Sequence, residues 1–396
     1  MLFAAGVRSD GAPLRTGETT FEFLDRVEGD GWGRVRELLN DWHDHLPTDA
    51  CPDLEARMRS DDRRHFDGAF FELYCHETLR RLRFSVSSHP ENVTERGAPD
   101  FLASGSEHVI LEATVAAASD DTEAAERREE RVYEAINGIA TPNFSLFVDV
   151  EEAGDYSPPT RELCGQLEQW LSTLDPDQVS RIAEEEGGLL LAPNVPSFSW
   201  SDGRGWSLSF RPFPRKPEAR GAPGLRPIGM YGPQGAFTDD AGRLRKAVRD
   251  KAGAYGNLAH AFVIAVRCAF GTDDYDVMAA LYGSENVTFG VGPDGATVTQ
   301  TGRDSDGMLW GPRGPRSRRV SAVLVVTALE PWTVGRCVPW FFPHPDPLID
   351  VGLEGAPWVR YEPSTRDDQG LLQLVDAPLT PAEFFGLAPD WPGPLK

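Results

Sequence analysis

Long apolar runs are missing from this chain. No stretch reaches the roughly eighteen apolar residues that a membrane-crossing helix needs, so no membrane partner is expected. The opening MLFAAGVRSD turns polar too early for a secretory signal, which makes the cytoplasm the expected location. Cysteine is scarce. Its five copies (Cys51, Cys75, Cys164, Cys268, Cys337) lie far apart without a Cys-x-x-Cys pair, which argues against a zinc knuckle or a disulfide framework and for reduced, mostly buried thiols. Gly311 and Gly314 are not spaced as a phosphate-binding loop, and no Gly-x-Gly-x-x-Gly follows a strand pattern, so nucleotide hydrolysis is disfavoured. Nucleophile-elbow and His-Glu-x-x-His hydrolases have no support either. Positive charge is short as well: 39 Lys and Arg against 62 Asp and Glu give a formal net charge of -23. Such a chain repels nucleic acid at long range and would meet it only through local basic patches, a metal-neutralised site or a partner subunit.

What is present is ordinary globular composition, long enough for two domains. The informative stretch runs from Phe70 to Val115 and reads helix, strand, strand, strand. On the helix FFELYCHETLRRLRF, Glu72 has Gly68, Ala69, Cys75 and His76 as its neighbours three and four residues away, so its carboxylate points toward packing and needs a partner there. Pro99-Asp100 opens a strand, and Glu112 lies within HVILEATVA, sharing one face with Ile110 and Thr114. A turn near Gly105 lets Asp100 and Glu112 lie on adjacent strands, close enough to share an ion.

In this order the residues resemble the PD-(D/E)XK, or restriction-endonuclease-like, nucleases: a helical Glu (Glu72), Pro-Asp (Pro99-Asp100), then Glu-x-Lys, which here reads Glu112-Ala113-Thr114. The resemblance covers roughly residues 60 to 150 and departs from the pattern at Thr114, where the family has Lys. It implies an α/β (α+β) fold with a small mixed central sheet flanked by helices. It also implies a metal-dependent nuclease, acting on DNA rather than RNA, in bacterial defence or DNA processing. Asp100, Glu112 and Glu72 would hold Mg²⁺ or Mn²⁺, which suit hard oxygen ligands, and Thr114 would hydrogen-bond the attacking water. Arg127, Arg128 or His89 would supply the missing positive charge. The alternative reading is an inactive, nuclease-derived binding or scaffold subunit, with a partner protein or a second copy.

Around this stretch, residues 1–59 read as an N-terminal helical arm whose first twenty residues are loosely held, and residues 60–185 read as the nuclease-like core. Within that core, Arg80, Arg81 and Arg83 end a helix or meet phosphate; both uses fit. Ser119 or Asp120 caps a helix from Thr122 to Ile139, on which Arg127, Arg128 and Arg131 pair with nearby glutamates or lean toward the site. NFSLFVDVEE then alternates as a strand that would complete the sheet, followed by the amphipathic helix TRELCGQLEQWLSTL. Residues 186–238 read as a hairpin and a Pro/Gly-rich connection carrying Arg211, Arg215, Lys216, Arg220 and Arg226, candidate phosphate contacts or an ordinary exposed loop. Residues 239–396 return to an α/β rhythm. DDAGRLRKAVRDKAGAYG has a helical stripe at Leu244, Val248, Ala252 and Tyr255, and HAFVIAVRCAF is a buried strand, in the same sheet or in a separate domain. A second basic cluster, Arg313, Arg316, Arg318 and Arg319, precedes the strand from Val320 to Ala328. Trp340, Trp358 and Trp391 in the tail are expected to pack rather than to stack on bases.

Overall fold

The computed structural model describes residues 1–396 except 16, 92, 117–119, 190–191, 223–226, 232–238, 269–270, 292–296, 364–371 and 396. The chain divides into two units, one built from residues 1–117 and 239–396 and the other from 118–238.

In the first unit, Thr19 closes a capping box on α1 (Thr20–Arg26), and α2 (Asp30–Asp44) and α3 (Cys51–Met58) follow. Asp62 caps α4 (Arg63–Arg81), the helix of Glu72. The strands β1 (Ser85–Ser88), β2 (Phe101–Ser104) and β3 (His108–Val115) come next as an antiparallel meander, in the expected order.

The second unit holds α5 (Asp120–Asn137), β4 (Phe144–Glu152), α6 (Thr160–Ser172), α7 (Pro176–Glu185), β5 (Phe198–Ser201), β6 (Ser207–Pro214) and β7 (Ile228–Tyr231). Its sheet has the order β5-β6-β4-β7, with a core of Val132, Ile136, Leu146, Val148, Leu163, Leu167, Trp206 and Phe210. The expectation that NFSLFVDVEE joins the three earlier strands is therefore corrected: β4 pairs with β6 and β7. Its burial alternates, the mark of a strand with one covered face, whereas a strand inside a sheet covered on both faces is apolar throughout.

The chain then returns to the first unit with α8 (Asp240–Ala252) and β8 (Ala261–Cys268). All eight residues of β8 are buried, and it lies parallel to β3, so the C-terminal stretch completes the sheet that β4 was expected to complete. After α9 (Asp274–Tyr282) come two small ribbons, β9 (Glu285–Val291) with β10 (Thr297–Arg303), and β11 (Trp310–Gly311) with β12 (Gly314–Pro315). Then β13 (Ala322–Thr327), β14 (Trp340–Pro343), β15 (Val359–Pro363), β16 (Leu372–Val375) and α10 (Pro381–Phe385) end the fold.

The resulting eight-stranded mixed sheet, β1-β2-β3-β8-β13-β14-β15-β16, is larger than expected, and the fold is α+β with helices on both faces. Val109, Leu111, Val263 and Leu324 pack toward α1–α4 and α10, while Ile110, Phe262, Ile264 and Val323 pack toward α8 and α9. The N-terminal residues are not a loose arm. Leu2 and Phe3 are buried, Phe3 stacks on Phe21, and both backbone N–H groups donate to Asn40 Oδ1. The expected boundary at 238 coincides with the end of the inserted unit, while those at 59 and 185 give way to a single insertion, 118–238, between β3 and α8. Among the described residues no helix is long and apolar enough to cross a membrane, and Trp358 and Trp391 are buried in packing.

Ile264 is fully buried in β8, so Ile264→Ala should lower unfolding free energy by about 2–5 kcal/mol. Leu348→Ala, at a position 62% exposed, should change it by less than about 0.5 kcal/mol in the same denaturant titration.

Candidate functional site

The site forms where β2 begins beside β3. Phe101 stands opposite Leu111, so one further step of this register sets Asp100 beside Glu112, and the Asp100 backbone N–H donates to Glu112 Oε2 at 3.2 Å. The Asp100 side chain turns back on the same strand and accepts from Ala113 N through Oδ2 at 2.7 Å. Its Oδ1 has no hydrogen-bond partner among the described residues.

Glu112 follows Ile110 by two residues and so faces α8. It is 2% exposed, a depth at which a carboxylate must be paired. Lys251, in the last turn of α8, supplies the pair: its Nζ lies 2.5 Å from Oε1. Just past the helix end, the Tyr255 hydroxyl donates to Oε2. Arg319 fixes this helix end, donating from Nη1 to Gly256 O at 2.5 Å and from Nη2 to Ala252 O at 3.4 Å. Gly256 adopts φ +73°, a conformation that favours glycine, as the chain turns toward β8.

The electrostatics follow from burial and crowding. Burial first, then the neighbouring Glu112 and Glu72 charges, push the Asp100 carboxyl up to about 7. Burial alone would lower the Lys251 pKa, but the hydrogen bond and charge of Glu112, reinforced by Asp100 and Glu72, outweigh it and hold the ammonium above its usual value. Burial and the Glu112 bond likewise keep the Tyr255 phenol protonated.

Of the residues expected at the site, Asp100 and Glu112 are brought together. Glu72 is near enough for its charge to act on both Asp100 and Lys251, but Arg57 of α3 grips both its oxygens at 2.6 Å. Among the described residues no three Asp, Glu, His or Cys side chains are grouped to hold a metal, and Glu72 is withheld from any such set by this clamp. Thr114 is half-buried on the Glu112 face, in register with Val266. His89 is exposed at φ +44°, its N–H donating to Asp100 O.

The candidate cations are divided between the two units. Arg127 and Arg128 belong to the inserted unit; the Arg127 side chain lies outside the described residues, and Arg128 donates to Gly154 O within that unit. Arg215 donates to Phe144 O, Lys216 is exposed, and Arg226 lies outside the described residues. Arg316 donates to Asp306 O, Arg318 pairs with Asp346, and Arg319 braces α8. Backbone carbonyls and carboxylates thus already occupy most of the basic residues that looked free in the sequence.

The cation at the site is one the motif spacing does not reveal. Lys251 lies 139 residues beyond Glu112. A signal was present nonetheless: Leu244, Val248, Lys251 and Tyr255 lie four, three and four residues apart on one helical face, so a lysine stands in an apolar row.

Carboxylates are a ligand type that hard divalent cations take, but here Lys251 and Tyr255 already engage both Glu112 oxygens and Ala113 N engages Asp100 Oδ2. No family model, curated protein or solved structure matches the chain.

The raised Asp100 pKa carries a consequence for stability. With a folded value of about 7 against the usual 3.8, the folded state holds the proton more tightly, so this stability is present below about pH 4 and lost as pH rises toward 7. Asp100→Asn should raise the melting temperature at pH 8, where the whole cost of ionising a buried carboxyl is relieved, about 1.4 kcal/mol for each tenfold change in proton affinity. At pH 5, where the folded carboxyl keeps its proton, the gain should be smaller. Equal gains at both pH values would contradict the assignment.

Proposed function

We propose that the protein is a metal-dependent nuclease of the PD-(D/E)XK type, acting on DNA, in which Lys251 takes the place of the lysine that the strand motif lacks. The observation that carries this reading is the convergence of Asp100, Glu112 and Lys251 at the mouth of β2, two carboxylates and one ammonium contributed by separate elements.

Asp100 and Glu112 would hold Mg²⁺ or Mn²⁺. When bound, such an ion lowers the pKa of a coordinated water and offsets charge on phosphate oxygens. The chain's own residues do the remaining work. Lys251 keeps a fixed positive charge beside Glu112, where it steadies charge developing on a phosphoryl oxygen and orients an attacking water. Its side chain is 33% exposed, while its partner carboxylate stays buried. Tyr255 holds Glu112 Oε2 and so sets the rotation of the carboxylate. Ala113 N fixes Asp100 Oδ2, so Oδ1 would be the oxygen offered to an ion. Arg96, exposed on the loop that ends at Pro99, would be available to a flanking phosphate.

A second reading, a nuclease-derived binding or scaffold subunit without turnover, is favoured by one observation. Both Glu112 oxygens and both Glu72 oxygens already have protein partners.

Plasmid cleavage in Mg²⁺ or Mn²⁺ separates the two. The wild type should cut; Asp100→Asn and Glu112→Gln should abolish cutting, and Lys251→Met should lower its rate about 100-fold or more while the protein remains folded by circular dichroism. DNA retention without cleavage by the wild type supports the second reading, and neither retention nor cleavage ends both.

A further inference from the structure

A cavity of about 420 Å³ opens at the start of α2, and three arginines, Arg8, Arg34 and Arg36, line it. Arg36 is only 9% exposed, yet among the described residues it has no carboxylate partner. Its Nη1 donates to Leu24 O at 2.8 Å and to Val27 O at 2.9 Å, closing the end of α1. That role uses one nitrogen. Nε and Nη2 have no partner among the described residues, and Nη2 lies on the Gly33 side, 3.9 Å from where a Cβ on that glycine would stand. Gly33 is part of the cavity wall, so the unpartnered edge of the guanidinium faces the open space.

Two further observations give that space a sign. Burial first, then the like charge of Arg8, hold the Arg36 pKa below its usual value, so two guanidinium groups lie close enough to repel. Gly29 begins α2 without a side-chain cap, which leaves the positive end of a fifteen-residue helix at the same wall. The acids of the lining, Glu28, Asp30 and Glu37, are exposed, where water screens them, while Arg36 is buried.

We propose that this cavity binds a phosphomonoester, with the phosphate held on the open edge of Arg36 beside the start of α2. The parallel N–H groups of that edge suit two oxygens of one phosphate, and a dianion there offsets the repulsion between Arg36 and Arg8. The volume is that of a small-molecule site, with room for the phosphate and for the organic group that carries it. Binding here needs neither a metal nor the residues around Glu112.

The test is calorimetric titration of the full-length protein with ribose 5-phosphate, inorganic phosphate and ribose, at constant ionic strength and without metal. Ribose 5-phosphate should bind once per chain, inorganic phosphate more weakly, and ribose not at all. Gly33→Glu sets a carboxylate beside Nη2 while leaving the Nη1 bonds to α1 in place, and should weaken ribose 5-phosphate binding about tenfold or more. Arg36→Met should do the same; if losing the α1 contacts unfolds it, Gly33→Glu decides alone. Lys251→Met should bind as the wild type does. Unchanged affinity in Gly33→Glu, loss of binding in Lys251→Met, or no binding of ribose 5-phosphate by the wild type each overturns the site. Inorganic phosphate bound as tightly as ribose 5-phosphate overturns the ester as its occupant.

Discussion

The bond between Lys251 and Glu112 joins segments that are distant in the chain and decides what this corner of the sheet can do. A carboxylate at the depth of Glu112 is stable as an ion only if the protein replaces its lost water, and three donors do so: the Lys251 ammonium, the Tyr255 hydroxyl and the Asp100 N–H. Such a pair adds little net stability compared with apolar packing, but removing one member strands the other at a cost of about 3–5 kcal/mol. Its value is geometric. The pair fixes the end of α8 against the middle of β3, and Arg319 also holds that helix end. Two cations and a tyrosine thus set the position of one acid.

The topology explains why these parts are scattered. β3 is followed by an entire second unit before the chain returns as α8 and β8, with β8 parallel to β3. A parallel neighbour always needs a crossover, and the helix of this crossover carries the site's lysine. An inserted unit leaves the sheet intact so long as the crossover helix returns to the same face. The hydrophobic pattern of β8 enforces that return, because a strand buried on all eight residues has nowhere to lie but the middle of a covered sheet.

Legibility in the sequence tracked distance along the chain. The helix, the three strands and the Asp100–Glu112 neighbourhood are local, set by the period of burial and by a short turn, and all are present in the structure. The strand beside β3 is not readable from order alone, which favours β4 where β8 belongs. Their burial patterns, alternating in one and continuous in the other, already distinguish them. The lysine is hidden twice, by separation and by sitting in a row whose apolar members dominate its pattern. The arginine clusters mislead for a different reason. Composition shows that a guanidinium is present but not what it touches, and Arg316, Arg318 and Arg319 are spent on a carbonyl, a carboxylate and a helix end.

The charge of the whole chain and the charge of the site pose one problem at two scales. At physiological salt, the field of the -23 surface falls off over about 8 Å, so it slows the approach of a polyanion more than it weakens close contact. Within contact, three carboxylates face two cations, and Asp100 answers the deficit by holding its proton up to about pH 7. Under the nuclease reading a phosphodiester adds one more negative charge to this cluster. The residues present leave that charge unmatched, since Lys251 and Arg57 are each already engaged by a carboxylate. Substrate and positive charge must therefore arrive together, or the proton on Asp100 must remain. Under that reading the site would stay quiet toward nucleic acid until a cation enters, which would reconcile an acidic chain with a nucleic-acid substrate.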